Sequence, residues 1–181
     1  MPESRQAAGI FRKKEEIFMF RFTLPRDIYA GYGAIEKLAV LKGHKRAFIC
    51  TGGHSMRRGG FLQKAEKVLK DNGMETRIME GIAPDPSIEA VREGAKAMSE
   101  FQPDVIVAIG GGSPIDAAKA MWVFYEHPEL SFDDVKKPFS LPPLRQKAIF
   151  VATSSTLRYR YGSHFLLGNY GLSYGHQVPS G

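Results

Sequence analysis

Along the middle of the chain, short apolar or alternating stretches at 46–50, 75–79, 105–109 and 147–152 are separated by longer segments in which apolar residues recur every three or four positions. The short stretches predict β-strands and the longer segments predict helices. Val105 to Ile109 contains no polar residue, as suits a strand buried on both faces of a parallel sheet. Phe61, Ala65, Val68 and Leu69 fall on one face of a helix over 61–72, and Ile88, Val91, Ala95 and Met98 on one face of the next. Asn72-Gly73 closes the first of these. A third helix, over 114–126, stops before His127-Pro128, because a proline disfavours helical geometry in the residue before it. A shorter helix at 34–41 precedes the first strand.

Strand and helix therefore alternate, with connections long enough for right-handed parallel crossovers. The predicted fold class is α/β: a Rossmann-like, doubly wound, mostly parallel sheet. Residues 1–18 read as a charged, weakly patterned, disordered leader, with Met19 a second candidate start. Residues 19–156 form the α/β domain, including a proline-rich loop over 129–145, and 157–181 form a tail. Ligands of such sheets bind beyond the carboxyl ends of the strands. Three loops share that edge: 51–60, 110–113 and 153–156.

The second loop carries the strongest chemical signal. Gly110, Gly111 and Gly112 follow the buried strand and let an anion approach bare N–H groups, since no Cβ stands in the way. Ser113 is placed as N-cap of the following helix, Pro114 at its first position and Asp116 at its third, as in a capping box. Such a helix start presents free donors and a positive dipole end to a diphosphate. The run is not the usual G-x-G-x-x-G, and glycines alone serve tight turns equally well; strand, glycines and capped helix together point to phosphate. In the first loop, Thr51-Gly52-Gly53 offers no acid to hold ribose hydroxyls, while Arg57 and Arg58 lie close in sequence. This favours NADP over NAD, against the plainer alternative of two solvated arginines. Lys119 and Trp122 read as helix-face residues without chemistry, and His127 as a surface residue at a helix end.

Composition narrows the class. The chain has 181 residues, 43% hydrophobic and 24% charged, enough for one domain with a core. No run approaches the roughly 20 apolar residues of a membrane span, and no signal peptide is evident, so a cytoplasmic protein without a membrane partner is expected. A single cysteine, Cys50, excludes an internal disulfide and reads as a packed thiol. The net charge of +6 is scattered over Arg12-Lys13-Lys14, Arg57-Arg58 and Lys136-Lys137 with no interleaved aromatic residues, which argues against a nucleic-acid partner. The five histidines, His44, His54, His127, His164 and His176, show no metal-ligand spacing, and there is no G-x-S-x-G. No catalytic or metal-binding residue is assigned.

Residues 110–129, GGGSPIDAAKAMWVFYEHPE, resemble the signature of iron-containing (group III) alcohol dehydrogenases, and the likeness extends through 22–33, 81–86 and 150–156. The resemblance implies a dinucleotide-binding domain followed by a helical, metal-binding domain. It also implies interconversion of small alcohols with aldehydes or ketones by hydride transfer to NAD(P), and it allows a homo-oligomer. Carried across residue by residue, it sets Gly111, Gly112 and Ser113 at the cofactor diphosphate, with Asp116 on the helix behind them. Gly52, Gly53 and His54 fall near the adenosine, and Ser155 and Thr156 begin the next nucleotide-contacting loop. The Gly52-Gly53 pair resembles NADP-preferring members. The family's iron or zinc ligands, an aspartate and histidines of the helical domain, have no matching position, so metal binding does not carry over.

The pattern breaks after Thr156. From Leu157 on there is no Lys, Asp or Glu, and four of the seven tyrosines crowd in. Permitted codons for 157–164, read one nucleotide on, yield Ser-Gly-Thr-Gly-Thr-Glu-Val-Thr, in the style of the family's continuation. A frameshift after Thr156 is therefore expected, followed by a loosely ordered tail. Thus the chain reads as the cofactor-binding half of the enzyme, lacking the C-terminal helical domain and inactive alone. The alternative from another class is a non-catalytic nucleotide-binding or partner-binding module.

Overall fold

The computed structural model describes residues 27–136 and 140–154. The leader at 1–18, Ser155, Thr156 and the tail at 157–181 lie outside the described residues. Four parallel strands, β1 (Arg46–Thr51), β2 (Glu75–Met79), β3 (Val105–Gly110) and β4 (Ile149–Ser154), form one sheet in the order β2-β1-β3-β4. The helices are α1 (Ser55–Arg58), α2 (Phe61–Asp71), α3 (Ile88–Phe101), α4 (Gly112–Glu126) and α5 (Phe132–Val135), with a 3-10 helix over Ala34–Leu41. This is the α/β fold that the alternating pattern predicts.

The period of two along each strand sorts the side chains onto two covered faces. Ala47, Ile49, Val105, Val107 and Ile109 pack with Leu62, Ala65 and Leu69 of α2 and Ile35, Leu38 and Leu41 of the 3-10 helix. Phe48, Cys50, Ile106 and Ala108 pack on the other face with Val91, Ala95 and Met98 of α3 and Ala117, Ala118 and Met121 of α4. Every residue of β3 is buried; at about 1.5–3 kcal/mol for each fully buried Val or Ile, a polar residue there would lose more than it could regain without a partner. Helices α3 and α4 approach so closely that a Cβ on Gly94 would stand 2.4 Å from Met121 Sδ.

The structure departs from the expected elements where tertiary contacts outweigh local pattern. Phe61, expected on the inner face of α2, is 50% exposed, and Leu62 is buried in its place. Gly60, with φ +75°, turns the chain into α2 so that Leu62, Ala65 and Leu69 face the sheet. Ile88, first residue of α3, is also exposed. The loop over 51–60 contains the one-turn helix α1. The last strand begins two residues late because the N–H groups of Lys147 and Ala148 donate to the Glu126 carboxylate at 3.0 Å, so they are diverted from the sheet.

His127, expected at the surface, is not a surface residue, and the helix face that carries Trp122 is a buried one. Trp122 is buried, stacks on Phe150 with ring centroids 5.3 Å apart, and donates Nε1 to both Glu126 Oε1 and the Ala148 carbonyl at 3.1 Å. His127 is buried, with Nε2 2.9 Å from the Pro143 carbonyl. His127 meets the proline-rich segment that returns over the end of α4, and Trp122 meets Ala148 and Phe150 at the start of β4, contacts between distant parts of the chain that no local pattern announces.

Cys50 is the packed thiol expected, fully buried on β1 with its pKa pushed up to about 12 by burial. It should resist alkylation in the native protein and react once the chain unfolds, as a timed iodoacetamide assay with and without urea would show. The folded thiol keeps its proton where the unfolded one, with an ordinary value of 9.0, loses it. Its contribution to stability is therefore complete below about pH 9 and falls as the pH rises towards 12.

Candidate nucleotide-binding site

The strand order reverses between β1 and β3, so their connections leave in opposite directions and open a crevice at the carboxyl edge. The loops after β1 and β2 are tied together by two backbone hydrogen bonds, Gly81 N–H to Gly52 O at 2.9 Å and Ile82 N–H to Thr51 O at 3.3 Å. With the loop after β3 they enclose a cleft of about 190 Å³. Gly52, Gly53 and Ser55 line it from the β1 side, Ile82 and Pro84 from the β2 side, and Gly110, Gly111 and Ser113 from the β3 side. Two of the three loops expected at this edge, 51–60 and 110–113, thus meet. The third is delivered there by β4, whose Thr153 and Ser154 pair with Ile109 and Gly110; Ser155 and Thr156 lie outside the described residues. The loop after β2 was not among the three, although β2 runs parallel to β1 and must open at the same edge. Ile82 and Pro84 were legible by that argument.

The glycines have separate duties. Gly110 has φ +143°, and a Cβ there would stand 2.8 Å from Pro114 Cγ, so both backbone and packing require glycine. Gly111 is extended, and nothing lies within 4 Å of where its Cβ would be. It leaves open space above the start of α4.

The expected capping box is not formed. The turn at Gly110 starts α4 at Gly112, with Gly111 as N-cap and no side-chain hydrogen bond to the cap, and this moves Ser113 inside the first turn. Asp116 instead lies 3.0 Å from Lys119 Nζ. The first N–H groups of a 15-residue helix therefore point out of its end without a side-chain acceptor, a ready anion site. Lys119 is only 2% exposed, so the helix face that carries it is a buried one. Burial pushes its ammonium pKa down, and the Asp116 carboxylate opposes the shift. The signal was the pairing of Asp and Lys three apart on a helix otherwise apolar on nearly every side.

His54 is exposed, sits at the start of α1 and does not line the cleft. It faces an acid that sequence spacing did not reveal. Glu80, directly after β2, accepts from Arg57 Nε at 2.9 Å and also from Arg57 Nη2. Arg57 holds the Glu80 carboxyl below its usual range, and His54 adds a smaller push in the same direction. The loop after β1 is acid-free, as read, but the neighbouring loop brings an acid to it, and Arg57 is not a free solvated cation. Thr51 Oγ1, at the junction of β1 with the Gly52 loop, is buried without a hydrogen-bond partner among the described residues.

A family model for iron-containing alcohol dehydrogenases matches residues 25–157. The chain belongs to this family. It is 59% identical over 138 residues to an NADPH-dependent butanol dehydrogenase from Clostridium saccharobutylicum, covering 76% of this chain and 35% of that one. It is 38% identical over 144 residues to the bifunctional aldehyde-alcohol dehydrogenase of Escherichia coli K12, covering 74% of this chain and 16% of the relative. Among solved structures, an iron-containing alcohol dehydrogenase from Thermococcus thioreducens superposes with a TM-score of 0.68 at 39% identity, over 75% of this chain and 37% of that one. The chain thus spans about a third of the butanol dehydrogenase.

The two groups implied by the family fare differently against these residues. The open space at Gly111, at the uncapped start of α4, fits the diphosphate of a nicotinamide coenzyme. Iron or zinc finds no donor set: among the described residues no three of His, Cys, Asp and Glu come together to hold an ion. Among the same residues, no helix is long and apolar enough to cross a membrane.

Proposed function

We propose that this chain is the coenzyme-binding part of an NADPH-dependent alcohol dehydrogenase that acts on small alcohols and their aldehydes. The observation that carries the proposal is the open cradle at Gly111, placed on the uncapped start of α4 and facing the Gly52-Gly53 loop across the cleft. The N–H groups of the first turn bind the diphosphate, with Gly111 and Gly112 admitting it and Ser113 beside it. Asp116 and Lys119 brace the helix behind. Gly52, Gly53 and His54 border the adenosine. A cleft of about 190 Å³ is small for a whole dinucleotide; it suits the diphosphate and the ribose next to it. NADPH is favoured over NADH because the Gly52-Gly53 loop has no carboxylate to hold a ribose diol or repel a phosphate, and Arg58 stands exposed beside it. The name of the clostridial relative supports the same choice.

Bound coenzyme supplies the hydride. The described residues hold its diphosphate end, and none of the side chains lining the cleft is a titratable group, so proton transfer is assigned to none of them. That observation also favours a second reading, in which this chain alone binds nucleotide without turnover.

Titrating NADPH into the purified 181-residue chain should give saturable, one-site binding by calorimetry and by coenzyme fluorescence, displaced by NADP. A linear, non-saturating response would overturn the proposal. Alcohol-dependent NADP reduction measured alongside separates the enzyme from the binding module.

A further inference from the structure

Two loops of different strands meet at the edge of the cleft, and each contributes one charged residue to a single ion pair. Met56 lines the cleft directly before Arg57, and Ile82 lines it two residues after Glu80. The guanidinium grips the carboxylate through two nitrogens, Nε and Nη2. In a doubly wound nucleotide site an acid beside the adenosine ribose binds its hydroxyls, whereas a 2′-phosphate there requires the acid to be absent or countered; the loop after β1, where that acid would stand, has none of its own, and Glu80 is brought to it from the loop after β2.

We propose that Arg57 sets the coenzyme preference of this site by neutralising Glu80, so that the paired acid neither repels a ribose 2′-phosphate nor captures an unmodified ribose diol. The inference rests on the proposed nucleotide site and adds the means of its selectivity. Two donors of the guanidinium are spent on Glu80, so the carboxylate's charge is countered where it stands. Arg58, exposed and without a side-chain partner among the described residues, adds positive charge on the same turn. A pair that served only to rivet the two loops would stabilise the chain and affect both coenzymes alike, and at half exposure it would contribute little even to stability.

The test is the ratio of NADPH to NADH dissociation constants for the wild-type chain, Arg57→Ala, Arg57→Lys, Glu80→Gln and the double variant Arg57→Ala with Glu80→Gln. Thermal melts confirm that each is folded. Arg57→Ala should weaken NADPH by about tenfold or more while leaving NADH unchanged or tighter, because an unpaired carboxylate then faces the ribose. Adding Glu80→Gln should restore most of the lost NADPH affinity, and Arg57→Lys should keep the original preference. Equal weakening of both coenzymes by Arg57→Ala, or no recovery in the double variant, would sink the role of the pair and leave the site standing. Failure of the wild-type chain to bind either coenzyme would overturn the site itself, and the selectivity with it.

Discussion

Glu126→Ala should strongly destabilise this protein, with a loss of about 3–5 kcal/mol in urea-derived stability. Glu126 ends α4 and is almost wholly buried. Its carboxylate accepts from Trp122 Nε1 at 3.1 Å and from the backbone N–H groups of Gln146, Lys147 and Ala148 at 3.0 Å each. Removing it strands three peptide donors on the approach to β4, where no strand partner replaces the carboxylate, and each stranded donor costs about 1–3 kcal/mol if it stays dry. Water entering the gap recovers part of that, which is why the estimate lies below the sum. Domains of this kind have about 5–15 kcal/mol in all, so the variant should show a large shift of the urea midpoint. Glu126→Gln should lie between, since its carbonyl can still accept two of the bonds while its NH₂ group faces donors. A change below about 1 kcal/mol for the alanine variant would mean that the three N–H groups find other acceptors.

The contrast between Glu126 and Val105 shows what a sequence can and cannot disclose. β3 was legible because a five-residue run without a polar atom has few places to go except the middle of a parallel sheet, and the helices were legible from the same one-dimensional rhythm. Glu126 was invisible because its partners lie 20–22 positions away, and a glutamate at a helix end looks like a solvated one. His127 differs from its surface reading for the same cause, and the burial of Trp122 and Lys119 was not legible either: it is set by the segment over 140–148 and by neighbouring elements, not by their own helix. The candidate site divides along that line too. Gly110, Gly111 and Gly112 were identifiable because glycines between a buried strand and a helix have a backbone meaning. The helix starts two residues before the position that the capping preferences of Ser113 and Pro114 predict, because Gly110 turns the chain with φ +143°. The Arg57–Glu80 pair joins residues 23 apart across two loops; only the parallel pairing of β1 and β2 brings them together.

Gly111→Val should weaken coenzyme binding severely while leaving the fold intact, and Gly110→Ala should do nearly the reverse. At Gly111 the backbone is extended, φ −84° and ψ −161°, a region open to a branched side chain, and the added Cβ meets nothing within 4 Å. The valine methyl groups must therefore occupy the space in which the diphosphate is proposed to lie, and they hold it away from the N–H groups of the α4 start. Loss of those charge-assisted hydrogen bonds, at about 1.5–3 kcal/mol each, weakens NADPH by a hundredfold or so, while the urea midpoint stays near that of the wild type. At Gly110 a Cβ faces two penalties together: a φ of +143° that L residues rarely adopt and a 2.8 Å approach to Pro114 Cγ. The cost is about 3 kcal/mol of stability, read in the same urea experiment. Whatever nucleotide binding survives at low temperature should weaken less than in Gly111→Val, because the cleft itself is not filled. Undiminished NADPH affinity in the valine variant would show that the ligand does not enter between Gly111 and the Gly52-Gly53 loop, whereas a collapse of stability there would show that the space is less open than its geometry.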